Sequence, residues 1–371
     1  MKKLIITGIR GIPAAHGGFE TFAENLAVFL TRQGWSVDVY CQEQKNKHPD
    51  IFETEWCGVR RIHIPVKGEG AKATVIFDLL CAQHASKRSG LVLTLGYNTA
   101  IFNLLFRVRG LRNIINMDGI EWKRSKWRWH ERFWLYLNER AGCLIGHHLI
   151  ADHPEIAKHL TTRVNDSKIS MIPYGARRVI QADNALISGF GLRPEKYALV
   201  IARPEPENSI LEIVEAFSSK PRDIQLVVLG KYDTKNPYHA KVMRAASSEV
   251  KFVGAVYEHA TLDALRFFSA LYIHGHTVGG TNPSLIEALG AGQPVLAHDN
   301  PFNRWVAGHD AVFFNDAASC SLALDDLFSN PERLRHMSSR SRDRYDEAFT
   351  WDGILRQYEE LLLEEMLSSP L

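Results

Sequence analysis

Residues 274–294 read HGHTVGGTNPSLIEALGAGQP and follow an apolar run at 271–273. The apolar run predicts a strand and the glycines predict a loop. A helix is predicted from Pro283 onward, because proline is favoured in the first helical turn. A helix N-terminus carries backbone N–H groups that attract an anion. The stretch therefore predicts strand, anion-binding loop and helix, the repeating unit of a parallel α/β sheet.

The same alternation of strand and helix extends over the chain. Apolar, β-rich runs lie between helical patterns at 4–7, 36–40, 91–95, 113–117, 148–151, 197–202, 225–229, 251–253, 271–273 and 295–297. Such alternation predicts doubly wound parallel sheets. The restart near 190 predicts two Rossmann-like domains, at 1–185 and 190–350, and a closing helix at 352–371. Open α/β sheets bind ligands at the carboxyl ends of their strands, so we expect the domains to face a central cleft.

Length and composition agree with two globular domains. The chain has 371 residues, of which 45% are hydrophobic and 23% charged, and such a length normally divides into more than one core. No apolar run reaches the length of about eighteen residues that a membrane span requires. The apolar run near the N-terminus is too short for a signal peptide. We therefore expect a cytoplasmic protein.

Cysteines and charges add two further expectations. The five cysteines are scattered without zinc or disulfide spacing, so we expect reduced thiols. Residues 1–190 contain 26 Lys and Arg against 17 Asp and Glu, whereas 191–371 contain 18 against 25. A basic first half indicates a polyanionic partner or an anionic membrane surface. The alternative is that these charges only solvate two faces.

A second glycine-rich turn follows the first predicted strand. Residues 8–21 read GIRGIPAAHGGFET and lead into apolar residues with helical spacing. Gly17 and Gly18 would let the backbone approach a ligand at the start of this helix. The alternative is a tight turn without a ligand, and the spacing differs from the dinucleotide-binding fingerprint.

The loop and helix after 278 hold the candidate diphosphate and ribose site. The residues expected to contact the substrate there are Gly279, Gly280, Thr281, Asn282, Ser284 and Leu285. One helical turn farther on, Glu287 has two acceptor oxygens for a pair of ribose hydroxyls. A solvated helix glutamate is the alternative.

Several motifs together resemble one enzyme family. They are GGTNPSLIEA at 279–288, ARPEPEN at 202–208, GIPAAHGGFET at 11–21, MDGIEWKR at 117–124, IPYG at 172–175 and FTW at 349–351. With these motifs the chain is similar to family 4 of the retaining glycosyltransferases. Within that family it looks most like the rhamnosyltransferase-like branch of bacterial polysaccharide assembly. The resemblance spans nearly the whole chain.

The resemblance implies a fold, a division of labour and a set of residues. It implies the GT-B fold, with the acceptor on the N-terminal domain, the nucleotide on the C-terminal domain, and the helix 352–371 packed back on the first. It also implies retention of configuration, no catalytic metal and no cofactor. Arg203 matches the family arginine that grips the diphosphate, with a surface ion pair as the alternative. Glu287 matches the second family glutamate.

Two positions depart from the family pattern. Asn208 stands where the family has a lysine, and Gly279 stands where it has its first glutamate. Lys231, after the predicted strand 225–229, is expected to supply a further charge. Backbone groups near Tyr257 are expected to meet the base.

Asp118 is the candidate group on the acceptor side. Many family members place a histidine near the anomeric carbon, whereas this chain offers Asp118 after the predicted strand 113–117. Its carboxylate would orient an acceptor hydroxyl or take its proton; a helix cap is the alternative. In a front-side retaining mechanism the departing phosphate oxygen can accept that proton, so no protein base is obligatory.

The segment 122–132, from Trp122 to Arg132, interleaves tryptophan with basic residues. This mixture is typical of a membrane interface with anionic lipid, or of a site for a lipid diphosphate-linked acceptor. The alternative is an aromatic stripe that faces the core. No nucleic-acid module accompanies the segment, so no nucleic-acid partner is expected. The paired histidines at 147–148 and 274–276 do not predict a metal site.

These expectations describe a membrane-peripheral hexosyltransferase on the cytoplasmic side. Its favoured donor is dTDP-L-rhamnose, and its acceptor is a lipid-linked saccharide. A UDP- or GDP-sugar is the alternative donor. An alternative of another class is a catalytically silent partner subunit that binds nucleotide or glycan, motivated by Gly279 and Asn208.

Overall fold

The computed structural model describes residues 2–15, 17–124 and 126–368. The chain divides into two compact units. The first unit comprises Met1–Tyr174 and Trp351–Leu371, and the second comprises Gly175–Thr350. The second unit is therefore inserted into the sequence of the first.

The strands alternate with helices along the chain. In the first unit they are β1 (Lys3–Thr7), β2 (Ser36–Gln44), β3 (Phe52–Trp56), β4 (Val59–Val66), β5 (Leu91–Leu95), β6 (Asn113–Asn116), β7 (His148–Ala151) and β8 (Ile169–Met171). In the second they are β9 (Tyr197–Ile201), β10 (Gln225–Leu229), β11 (Val250–Gly254), β12 (Leu271–His274), β13 (Val295–His298) and β14 (Val312–Phe314).

The helices have clear start signals in the sequence. They are α1 (Gly18–Arg32), α2 (Ala71–Ala85), α3 (Leu104–Val108), α4 (Trp129–Ile145), α5 (Pro154–Thr161), α6 (Ala185–Ser188), α7 (Ile210–Ser218), α8 (Pro237–Ala245), α9 (His259–Phe267), α10 (Pro283–Gly290), α11 (Pro301–Ala307), α12 (Ala317–Ser329), α13 (Pro331–Ala348) and α14 (Trp351–Leu367). Five of them begin with proline directly after a capping side chain, which is asparagine in four cases. Proline lacks the N–H that a first helical residue leaves unpaired, so this combination fixes where each helix begins.

The described residues of the first unit form an eight-stranded sheet in the order β3-β4-β2-β1-β5-β6-β7-β8. Its strands pair in parallel except for β3 and β4, which form an antiparallel hairpin at one edge. The sequence did not predict β3, because its residues alternate between half-buried and exposed and lack the apolar run of a strand covered on both faces.

The last helix is part of the core of the first unit. Tyr358 of α14 packs on Phe22 of α1, with ring centroids 4.6 Å apart. Its hydroxyl accepts a hydrogen bond of 3.0 Å from Nδ2 of Asn116 at the end of β6. Trp35 donates its indole N–H to Glu359 at 3.0 Å. These contacts fasten α14 to helix and sheet alike.

The described residues of the second unit form a six-stranded parallel sheet in the order β11-β10-β9-β12-β13-β14. Its central strands are fully buried, including Leu199 of β9 and Leu226 of β10, because helices cover both faces. Two doubly wound, parallel-sheet α/β units confirm the predicted fold class.

Candidate functional site

The candidate nucleotide site lies where the strand order of the second sheet reverses. β9 pairs with β10 on one side and with β12 on the other. Chain connections therefore leave β9 and β12 in opposite directions, and a crevice opens outside their carboxyl ends. Residues 202–208 follow β9 and residues 275–282 follow β12, so the two motifs predicted to bind the diphosphate meet at this point.

The two loops are packed against each other without space for a side chain at Gly275. A Cβ atom built on Gly275 would lie 2.1 Å from the carbonyl oxygen of Asn208. Thr277 donates both its backbone N–H and its hydroxyl to the carbonyl of Glu207, at 2.9 and 3.0 Å. The loop after β12 is thereby held in a fixed position relative to the loop after β9.

The side chain of Asn208 stabilises the loop after β9. It is only 2% exposed, and its Nδ2 donates to the carbonyl of Arg203 at 2.7 Å. The side chain that stands in place of the family lysine therefore points into the protein and closes the turn that carries Arg203. Sequence spacing alone did not predict this inward orientation.

Arg203 is exposed in the loop that follows β9. Within the described ranges no carboxylate forms an ion pair with its guanidinium, so the alternative of a surface ion pair is not realised there. An exposed guanidinium without an acidic partner can grip two oxygens of a phosphate group. The structure thus leaves Arg203 able to perform the role that the resemblance implies.

The start of α10 is capped, and Gly279 before it has open space beside its Cα. Oδ1 of Asn282 accepts from the N–H of Ser284 at 3.2 Å, and the carbonyl of Asn282 accepts from Leu285. The side chain of Leu285 is fully buried. By contrast, Gly279 and Gly280 donate their N–H groups to no other described residue, and a Cβ on Gly279 would meet no atom within 4 Å. The open amides are therefore those of the glycines, ahead of the helix.

Glu287 is held by an arginine that the sequence did not indicate. Oε2 of Glu287 accepts a hydrogen bond from Arg266 of α9. The Arg266 side chain is 5% exposed, whereas that of Glu287 is 36% exposed. A buried guanidinium fixes one carboxylate oxygen and leaves the other side of the group toward solvent. Because α9 and α10 belong to different βα units, no sequence spacing connects these two residues.

The other residues predicted to bind the nucleotide-sugar donor lie after the ends of neighbouring strands. Lys231 follows β10 and is exposed, and Tyr257 follows β11 with 80% of its surface exposed. Thr281 is buried beside the N-cap residue of α10. Parallel strands carry all of these residues at one edge of the sheet.

The first unit has its own crevice at the carboxyl edge of its sheet. A cavity of about 590 Å³ is lined by Arg10 of the loop after β1, Gln42 of β2, His63 of β4 and Thr74 in the first turn of α2, with their neighbours. Gly17 is the N-cap residue of α1 and Gly18 is its first residue. Gly8, at the end of β1, must be glycine, because a Cβ there would lie 2.3 Å from the carbonyl oxygen of Leu95. His16 lies outside the described residues.

Asp118 occupies an unusual position after β6. Its φ of 48° is in the left-handed region, and its N–H donates to Oδ1 of Asn116 at 3.0 Å. Burial, with a smaller contribution from Glu121, raises the pKa of its carboxyl group to about 6. The next short helix, Glu121–Lys123, has Ile120 at its N-cap position, so Asp118 does not cap it. A carboxyl group with a pKa near neutrality suits proton transfer.

The basic and aromatic segment divides into a structural part and an exposed part. Trp122 donates its indole N–H to Glu139 at 2.6 Å, and Trp127 donates to Glu121 at 3.1 Å. Arg124 also pairs with the buried Glu121 at 2.6 Å. For these residues the alternative of an inward-facing role is correct. Trp129, in contrast, is 80% exposed.

His274, the last residue of β12, stacks face to face with His276 of the following loop. The rings of His274 and His276 have centroids 4.5 Å apart and planes 8° apart. Burial, with a smaller effect of His276, holds the pKa of His274 well below its usual range. Among the described residues, no group of three or more His, Cys, Asp or Glu side chains is arranged to hold a metal ion. No helix in the described ranges is long and apolar enough to cross a membrane.

In comparisons with known proteins, two parts of the chain match two family models. Residues 190–344 match the family described as "Glycosyl transferases group 1". Residues 1–177 match "Domain of unknown function (DUF1972)". None of the curated proteins compared matches the chain.

Solved structures share the fold over the whole length. A sucrose-phosphate synthase from Thermosynechococcus elongatus superposes with a TM-score of 0.84 at 18% identity, covering 100% of both chains. Anabaena HepE in complex with UDP gives 0.75 at 13% identity, covering 98% of this chain and 100% of that one. An α,α-trehalose-phosphate synthase (UDP-forming) from Burkholderia xenovorans, in complex with glucose-6-phosphate, gives 0.76 at 11% identity with coverage of 98% and 100%.

The family match and the geometry fall on the same part of the molecule. The group 1 domain begins just before β9 and ends within α13, and it contains the switch-point loops, Arg203 and Glu287. The structural neighbours confirm the predicted GT-B fold, in which each of the two units contains a parallel sheet. Residues 190–344 thus form a group 1 glycosyltransferase domain, and the chain is a glycosyltransferase with the GT-B fold.

Proposed function

We propose that this protein transfers a hexosyl group from a nucleoside diphosphate sugar to a saccharide acceptor, with retention of anomeric configuration. The observation that carries the proposal is the position of Arg203, Gly279, Gly280 and Glu287 at one switch point of the group 1 domain. The proposal includes no metal ion and no cofactor beyond the donor itself.

The donor is bound through complementary charge and hydrogen bonding. Arg203 binds the diphosphate, and its charge stabilises the leaving group as the glycosidic bond breaks. The N–H groups of Gly279 and Gly280 donate to phosphate oxygens. Glu287 accepts from the ribose hydroxyls, while Arg266 holds the carboxylate in position.

The acceptor is bound by the first unit. Its cavity of about 590 Å³ has the size of a small-ligand site and is lined largely by polar groups. Asp118 orients the attacking hydroxyl or accepts its proton, for which a pKa of about 6 is suitable. The departing phosphate oxygen is the other acceptor for that proton, so loss of Asp118 leaves residual activity.

Two donors are distinguished within this proposal. The motif resemblance favours L-rhamnose from dTDP-rhamnose, for use in cell-surface polysaccharide assembly. The names of two structural neighbours favour uridine instead, since one was solved with UDP and another is a UDP-forming synthase. The acceptor proposed with either donor is a lipid-linked saccharide on the cytoplasmic face of the membrane.

Thermal-shift measurements with a panel of dTDP, UDP, GDP and their sugars test the donor. A ligand at a hundred times its dissociation constant stabilises the folded protein by about 2.7 kcal/mol. We expect the nucleotide diphosphate of one base to raise the melting temperature. We expect the corresponding nucleotide sugar to be hydrolysed slowly when no acceptor is present. If none of the nucleotide diphosphates stabilises the protein, the proposed function is wrong. If one stabilises it but its sugar is neither hydrolysed nor transferred, the protein binds nucleotide without being a catalyst.

A further inference from the structure

Helix α4 of the first unit exposes a stripe of large apolar residues, although it also buries Leu135, Cys143 and Ile145. Its most exposed large apolar residues are Trp129, Phe133, Leu137 and Leu144, with 80%, 58%, 45% and 77% of their surface exposed. The same helix buries the polar Asn138 and Glu139, at 1% exposure each. A surface helix of a globular domain normally shows the reverse pattern. The spacing i, i+4, i+8 and i+15 places the four exposed residues along one stripe.

A second apolar stripe lies beside the first. Ile101, Leu104 and Val108 are 41%, 46% and 75% exposed and follow helical spacing through the turn Ala100–Asn103 and α3. Two contacts fasten this segment to α4. The N–H of Ile101 donates to Oδ1 of Asn138 at 3.1 Å, and Arg107 donates to the carbonyl of Ile145 at 2.9 Å. The exposed apolar residues of these two packed segments are here called the α3–α4 face.

The exposed charged side chains within the stretch 101–145, which carries the α3–α4 face, have one sign. The exposed basic residues between 101 and 145 are Arg107, Arg109, Lys123, Lys126, Arg128, Arg132 and Arg140. The acidic residues of this stretch, Asp118, Glu121, Glu131 and Glu139, are all buried or half-buried. An apolar surface with a cationic rim is complementary to an anionic phospholipid bilayer, whose headgroups attract the cations while its interface accepts Trp, Phe and Leu.

We propose that the α3–α4 face docks the protein on anionic phospholipid membrane. This inference deepens the proposed function, because it brings the first unit to the surface where a lipid-linked acceptor would be. The proposed membrane contact does not include Trp122 and Trp127 of the segment 122–132, because their indole N–H groups donate to the buried carboxylates of Glu139 and Glu121. Single exposed apolar residues are ordinary, but a contiguous patch of this kind normally marks an interaction site.

Sedimentation of the full chain with vesicles tests the inference. The vesicles are phosphatidylglycerol mixed with phosphatidylcholine, or phosphatidylcholine alone. The apolar variant is Trp129→Ser with Leu144→Ser, and its matched control is Ile180→Ser with Leu322→Ser, since these are 74% and 70% exposed in the second unit. We expect the apolar variant to lower partitioning at least about tenfold, and the control to behave like the wild type.

A charge variant tests the electrostatic part. Arg109→Gln, Arg128→Gln and Arg132→Gln together should lower partitioning about fivefold per residue at low ionic strength, and much less at high salt. The matched control removes three exposed cations of the second unit, Arg193, Lys241 and Arg335. We expect that control to retain wild-type binding.

Three results would overturn the inference. They are wild-type protein that ignores anionic vesicles at low salt, binding that is equal on neutral vesicles, and an apolar variant that still sediments. If the wild type ignores vesicles but is a dimer that the apolar variant dissociates, the face joins two copies instead. Nucleotide thermal shifts of the same variants report folding and the donor site separately, so failure of docking and failure of the proposed function are distinguishable.

Discussion

Gly275 is the position where a single methyl group should damage the donor site most directly. It lies directly after β12 at the switch point, and a Cβ there would lie 2.1 Å from the Asn208 carbonyl oxygen and 2.9 Å from Cδ1 of Ile213. Its φ is not in the left-handed region, so the effect of Gly275→Ala is steric and not a matter of backbone preference. Relief of the clash requires the loops after β9 and β12 to separate.

The magnitude follows from this geometry. A nonbonded carbon–oxygen pair needs a separation larger by about 1 Å, and forced displacements in packed regions cost about 1–3 kcal/mol. For a unit of this size, about 2 kcal/mol corresponds to a lower melting temperature by about 4–8 °C. The displacement also moves Arg203 relative to Gly279 and Gly280, so we expect nucleotide diphosphate affinity to fall at least about tenfold.

The assay combines scanning fluorimetry with calorimetric titration of the nucleotide that stabilises the wild type. Gly189→Ala is the matched control, because the nearest atom to its Cβ is 4.0 Å away and its φ is helical. That control should be neutral or slightly stabilising. If Gly275→Ala matched the control in both melting temperature and affinity, the packing argument for the donor site would be wrong.

Three further predictions concern single side chains. Arg203→Ala should weaken nucleotide diphosphate binding by about 1.5–3 kcal/mol with little change in stability, and unchanged affinity in titration calorimetry would remove Arg203 from the site. Glu287→Gln should weaken binding of nucleoside diphosphate and donor alike, and Arg266→Gln should do so less; if both folded variants keep wild-type affinities, Glu287 does not bind the ribose. Because the pKa of Asp118 is raised in the folded protein, protonation of its carboxyl group stabilises the fold. This contribution to the free energy of unfolding is complete below the usual aspartate pKa and is lost as the pH rises through about 6. Asp118→Asn should therefore gain stability relative to the wild type as pH rises from 4 to 7 in thermal melts, and a constant difference over that range would contradict the raised pKa.

The regular part of the fold could be read from the sequence because parallel strands and capped helices have local signals. The apolar runs of β9 and β10 mark strands that helices cover on both faces, and Asn282 before Pro283 marks the start of α10. The sequence did not predict β4, β8 or β14, nor the edge strand β3, which has no such run. The packing of α14 on the first unit, through contacts such as Tyr358 with Phe22, also had no local signal, and only the family resemblance implied it.

The sequence by itself determined which residues end the strands of the second sheet, and hence that Arg203 and the glycines at 279–280 meet, because parallel strands carry their carboxyl ends to one edge. Tertiary structure alone decided how side chains at that edge are used. Asn208 turns inward, Arg266 reaches Glu287 from another helix, and an apolar stripe of α4 faces outward. Such orientations depend on packing between segments distant in the chain, and neither residue spacing nor composition encodes that packing.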